Sequence, residues 1–133
     1  MFLFRAKSPA APTILLVEDH EPLRIRLQTT LKQAGLRVLL ANDFEEALRI
    51  ARTCSGPIDL LVTHLRFAET WGPDLTQQLR ACRPRMAALY MSKSLSEMMD
   101  MSNAADFVSA LLPHPFTGEI LLRRVSVLLA SQA

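Results

Sequence analysis

Five short apolar runs, each followed by a segment of helical periodicity, set the tightest limit on how this chain can fold. The runs are Thr13–Val17, Arg37–Ala41, Ile58–Thr63, Met86–Met91 and Ala110–Leu112. Each has the length of a strand. TILLV and the IDLLV that opens the third run are nearly unbroken in apolar residues, the pattern of strands covered on both faces. Between them Leu23, Leu27, Leu31 and Ala34 recur at helical spacing. So do Phe44, Ala47, Leu48 and Ala51, then Leu75, Leu79 and Cys82, and last Leu121, Val125, Leu128 and Leu129. Ser94–Ala105 carries a weaker, Met-rich helical pattern. Pro22 suits the first turn of a helix and Gly35 its stop. Asn42 or Asp43, and later Thr117, are suited to cap helices. Ser55-Gly56-Pro57 and Pro84 break the pattern, and Arg66–Trp71 has the composition of an irregular loop. Strand then helix, five times over, predicts an α/β fold. It is a doubly wound, five-stranded parallel sheet with helices on both faces and right-handed crossovers, a three-layer α/β/α sandwich.

The 133 residues suggest one domain, spanning 13–131 behind a flexible tail of residues 1–12. A formal charge of +2, with Arg83-Pro84-Arg85 and Arg123-Arg124 as the only basic groupings of note, argues against nucleic-acid binding. The apolar stretch at the N-terminus is too short for a signal peptide or a membrane span, so no membrane association is expected. Cys54 and Cys82 both fall in helical patterns with no metal-ligand spacing. They read as reduced, mostly buried thiols of a cytoplasmic protein.

In a parallel sheet the polar residues at the strand ends collect in one crevice. Here they are Glu18, Asp19, His64, Ser92 and His114. The turn Glu18-Asp19-His20-Glu21-Pro22 has no glycine, which weighs against dinucleotide and Walker-type nucleotide binding. No nucleophile–base pair stands out, and an enzymatic role is not expected.

With these residues in order, the chain resembles the receiver domain of two-component response regulators, the flavodoxin-like, CheY-like fold. The segments that carry the resemblance are LLVEDHEPLR (15–24), IDLLVTHLR (58–66), Gly72 with the helix after it, LYMS (89–92) and LLPHPF (111–116). It is similar above all to the receivers of hybrid sensor kinases, where the third strand commonly ends in Thr-Asp-Leu-Arg. The resemblance implies an acidic pair, Glu18 and Asp19, that holds Mg²⁺ with an aspartate ending the third strand. It implies a hydroxyl at Ser92 and a lysine after the fifth strand to grip the phosphoryl group, and a partner such as a sensor histidine kinase. The phosphoacceptor position, however, is His64, and the lysine position is His114. The switching-aromatic position is Leu111. A cis peptide bond between His114 and Pro115 is also implied.

An acyl phosphate needs a carboxylate, and Mg²⁺ prefers hard oxygen ligands to an imidazole. The expectation is therefore a degenerate, pseudo-receiver module of phosphorelay signalling. It acts by protein–protein contact, without a cofactor, and Mg²⁺ at Glu18 and Asp19 is weakened by the lost third carboxylate. Two other readings stay open. One is a receiver phosphorylated at an unusual acceptor, Asp19 or Glu69. The other is a small metal- or ligand-binding protein, in which His64 and His114 join Asp19 and Glu18 around a transition metal. A pair between His64 and Asp19 is the plainer arrangement of the same residues. Trp71 stands beside the site, where it could cover it. Met91, Leu95, Met98, Met99 and Met101, with Leu111, form a candidate adaptable interface for another receiver or a homodimer.

Overall fold

A computed structural model describes residues 11–67, 69–101 and 109–131, and for Leu95, Asp100, Met101 and Ser109 it describes the backbone. The elements are β1 (Thr13–Val17), α1 (Glu21–Gln33), β2 (Arg37–Ala41), α2 (Phe44–Thr53), β3 (Leu60–His64), β4 (Arg66–Phe67) and β5 (Thr70–Trp71). They continue with α3 (Gly72–Arg80), β6 (Ala87–Ser92), α4 (Leu95–Met101), β7 (Ser109–Pro113) and α5 (Gly118–Ala130). Five of the strands form one parallel sheet in the order β2-β1-β3-β6-β7. The order reverses at β1, so the crevice for a ligand lies beyond the carboxyl ends of β1 and β3.

Strand alternation sorts the core into two layers. Ile14, Leu16, Leu60, Val62 and Leu89 pack under α1 and α5 with Leu27, Leu31, Leu121, Val125 and Leu128. Leu15, Val17, Leu61, Ala88 and Tyr90 pack under α2 and α3 with Ala47, Ala51, Leu75 and Leu79. The expected stripes on α1, α2 and α5 are thus the faces that meet the sheet. Caps fall where the sequence placed them. Asp43 accepts the Glu46 amide at 2.8 Å while Glu46 reaches back to the Asn42 amide at 2.9 Å, and Thr117 accepts from Ile120 at 3.2 Å. Gly35 follows α1 at φ 94°, a left-handed conformation that glycine adopts without strain.

Several expectations shift. The third strand runs from Leu60 and includes His64; the Asp59 backbone before it already bonds to Thr13 and Ala87, and its side chain accepts the Thr13 amide at 2.7 Å. Arg66–Trp71 is a small antiparallel hairpin, β4–β5, and not an irregular loop. Arg66 lies over the Trp71 ring at 4.8 Å, a cation–π contact that closes it. Helix α3 ends at Arg80, two residues short of Cys82, so Cys82 is exposed and off the buried stripe, while Cys54 is half-buried. Met91 is wholly buried in the core, so it leaves the candidate apolar surface. Of the remaining methionines there, Met98 is half-buried and Met99 is 64% exposed. The backbones of Leu95 and Met101 lie in α4, and their side chains fall outside the described residues, as do residues 1–10 of the expected tail.

Opposite the crevice, Arg83 donates to the carbonyls of Ala51, Cys54 and Gly56, and Arg80 Nε donates to the Met86 carbonyl. These bonds hold the end of α2, the entry to β3 and the α3–β6 turn together.

Candidate functional site

The crevice holds a cavity of about 440 Å³. All three histidines of the chain line it, with Glu18 and Asp19 from the β1 end, Arg66 and Phe67 from the hairpin, and Lys93 from the turn after β6. A larger hollow of about 520 Å³ runs along α2, but charged helix-surface side chains such as Glu45, Arg49 and Arg52 line it, and no buried polar groups converge there.

His64 sits at the last position of β3, paired in register with Met91. Its Nε2 lies 2.6 Å from Glu18 Oε1, and both side chains are buried. The second oxygen of Glu18 accepts the His20 amide at 3.0 Å. The expected partner, Asp19, is exposed, because the chain leaves β1 at Glu18 and the next side chain turns outward. Burial alone would raise the Glu18 carboxyl. The hydrogen bond from His64, the His20 amide and the nearby His64 and Lys93 outweigh it and hold the group below its ordinary value. Glu18 is thus an ionised acceptor, and His64 Nε2 donates to it.

A row of rings crosses this edge of the sheet. Phe44 stacks on Phe67 with centroids 5.5 Å apart, Phe67 faces His64 at 6.0 Å, His64 stacks on His114 at 5.9 Å and 17°, and His114 meets Phe116 at 4.9 Å. The His114–Pro115 bond is cis. Burial pushes the His114 imidazole below its ordinary value, and His64, Lys93 and Arg26 push the same way against Glu18. His64 Nδ1 and His114 Nε2 are buried without a hydrogen-bond partner among the described residues.

Ser92 is buried, does not line the cavity, and donates to the Ser94 carbonyl at 3.1 Å. That local bond fixes the turn, as a strand-end serine often does. Leu111 packs partly buried, and its carbonyl accepts from Arg124. Trp71 is half-buried and engages Arg66, and does not line the cavity. The expected cluster of two histidines with Asp19 and Glu18 does not assemble: among the described residues no group of three His, Cys, Asp or Glu side chains is placed to hold a metal. Lys93, Arg66, His20 and Phe67 escaped the sequence reading. Lys93 directly follows the strand-end motif LYMS, and that adjacency was the available signal.

Both shifts make acid destabilising. Folded Glu18 and folded His114 each bind a proton less readily than in the unfolded chain, so the unfolded state takes up more protons as pH falls. The stability they confer is complete above roughly pH 6.5. It is expected to decline below that through His114, and further below 4.5 through Glu18. Urea midpoints measured down this range check the slope, and His114→Asn is expected to flatten its upper part.

A parallel sheet in this order, with an acidic turn after its first strand and a cis-proline turn after its last, is the arrangement of a response-regulator receiver domain. The sequence profile of the response regulator receiver domain matches residues 14–125, and the chain belongs to that family. It is 30% identical over 120 residues to the sensor kinase CckA of Brucella abortus, covering 90% of this chain and 13% of that protein. It is 29% identical over 94 residues to the autoinducer 1 sensor kinase/phosphatase LuxN of Vibrio campbellii, covering 70% of this chain and 11% of that one. Its fold matches the response regulator receiver protein of Sinorhizobium medicae with a TM-score of 0.81, at 28% identity over 92% of this chain and 98% of the other. Among the described residues no helix is long and apolar enough to cross a membrane.

Proposed function

We propose that this receiver domain works in two-component signalling by protein contact, without phosphorylation of an aspartate. The observation that carries the reading is the buried bond between His64, at the acceptor position, and Glu18. A carboxylate that would attack a phosphoryl donor is absent at the end of β3, and the imidazole in its place is tied down. The donor set does not suit Mg²⁺ either. One Glu18 oxygen is taken by His64 and the other by the His20 amide, and the third carboxylate is replaced by a ring nitrogen donor. The domain therefore needs no cofactor and no catalysis of its own. Its partner is a sensor histidine kinase, another receiver or a second copy of the chain, and its setting is cytoplasmic. Met99 on α4 and Val127 on α5, 64% and 68% exposed, support an apolar contact face.

The test is incubation with a small phosphodonor and Mg²⁺, read by intact mass. Wild type is expected to gain nothing and His64→Asp to gain one phosphoryl group. A gain by wild type that Asp19→Asn abolishes would mean that the domain is an active receiver with a displaced acceptor.

A further inference from the structure

His114 opens the turn that joins β7 to α5, and its ring is packed from both sides. It stacks on His64 at 5.9 Å and 17°, and it meets Phe116 at 4.9 Å. Its Nε2 is buried and has no hydrogen-bond partner among the described residues. In an imidazolium both ring nitrogens are donors, so the Nε2–H of a protonated His114 would face neither water nor an acceptor.

The charged groups around this ring come from each element packed near it. His64 on β3, Lys93 after β6 and Arg26 on α1 all disfavour a positive ring, and Glu18 after β1 favours one. Glu18 is already committed, with one oxygen on His64 at 2.6 Å and the other on the His20 amide at 3.0 Å. Arg66 of the hairpin lines the same cavity, as do Asp19 and His20, which are exposed to solvent that screens them. Lys93 stands on a fixed turn. Its amide donates to Glu97 Oε1 at 3.2 Å, Ser94 Oγ accepts the Glu97 amide at 3.2 Å, and Ser92 Oγ donates to the Ser94 carbonyl. His64 cannot yield either, because β3 is a central strand held between β1 and β6.

The part that can yield is the turn itself. Residues 114–117 are half-buried or exposed. The His114 amide donates to the Ser92 carbonyl at 2.8 Å, and regular structure resumes where Thr117 caps α5. We propose that the turn from His114 to Thr117 is an acid-operated latch: a neutral His114 ring keeps it closed, and a proton on that ring releases it from His64 while the rest of the domain stays folded. Release bares the Phe116 ring, which packs half-buried against the core face under α1 and α5.

Burial holds the closed His114 ring below its ordinary value, whereas a released ring titrates near pH 6.5. The latch is therefore shut above roughly pH 6.5. Its open fraction rises by up to about tenfold per pH unit below that, until the closed ring itself takes a proton.

Native-state hydrogen exchange of the intact chain, followed by NMR from about pH 7.5 to 5.5 at low and moderate urea, tests this. Below pH 6.5 the His114 amide is expected to lose protection by up to about tenfold per pH unit, at a rate independent of urea. The amides of β1 and β3, which open only with the whole domain, should stay better protected and respond to urea. His114→Asn, whose side chain does not titrate, should remove the pH dependence at that amide. Lys93→Glu, at an exposed position, should shrink the rise, because the closed ring then accepts a proton more readily. Flat protection across the range would overturn the proposal. So would exchange that follows β1 and β3 at every urea concentration, an unchanged slope in His114→Asn, or an undiminished rise in Lys93→Glu.

Discussion

Replacing Glu18 by alanine is expected to destabilise the domain by about 3–5 kcal/mol, the largest loss of any single polar substitution in the site. The bond it removes is short, charge-assisted and wholly inside the protein, at 2.6 Å with both partners buried. Its loss strands the His64 imidazole, which already has one unpaired nitrogen, with no acceptor for the other. The His20 amide loses its acceptor as well. Glu18→Gln keeps an oxygen in place and gives up the charge, so a smaller loss is expected. Urea denaturation of Glu18→Ala, His64→Ala and the double variant forms a cycle in which the two sites couple strongly. Additive losses would show that the pair contributes only as two separate side chains.

Gly72→Ala is expected to cost about 3 kcal/mol, for a steric reason. A Cβ there would lie 2.7 Å from the His64 carbonyl oxygen and 2.9 Å from the Tyr90 ring. Neither can yield. The carbonyl belongs to a central strand, and Tyr90 is fully buried with its hydroxyl bonded to Thr76 at 2.6 Å. The Gly72 amide also donates to Leu65 at 2.7 Å, which holds α3 against the end of β3. Gly56→Ala is the control. Its Cβ would meet nothing within 4 Å, and its effect should stay within about 0.5 kcal/mol. Thermal and urea melts of the two variants give the comparison, and a mild Gly72→Ala would mean that the end of β3 can shift to make room.

The contrast between these residues shows what a sequence can disclose. Strand order, helix faces and caps follow from local spacing, so Leu27, Ala47 and Asp43 lie where periodicity and capping chemistry put them. The strand ends were legible for the same reason, and Glu18, His64 and His114 do meet at one edge. The choice of Glu18 over Asp19 as the partner of His64 was not. It depends on which of two adjacent carboxylates turns inward as β1 ends, and one residue reverses that direction. Nor was the hairpin, whose closure rests on a contact between Arg66 and Trp71 across five positions with no periodic signature. Lys93 was hidden because its place in the cavity depends on the turn formed by Ser92, Ser94 and Glu97. Cys82 was misplaced because α3 ends two residues before it, and Met91 because β6 is buried on both faces.

The brace at the opposite edge of the sheet has a mechanical consequence. Arg83 fastens three carbonyls of the α2–β3 connection, Arg80 fastens the start of β6, and Asp59 fastens the start of β1. The layers are therefore pinned at one end and joined at the other by stacked rings, like leaves bound along a spine. A push delivered between His64 and His114 has no slack to absorb it at the bound end. It must fan outward at the free end, toward the β6–α4 turn and the β7–α5 turn, where Lys93 and Phe116 stand.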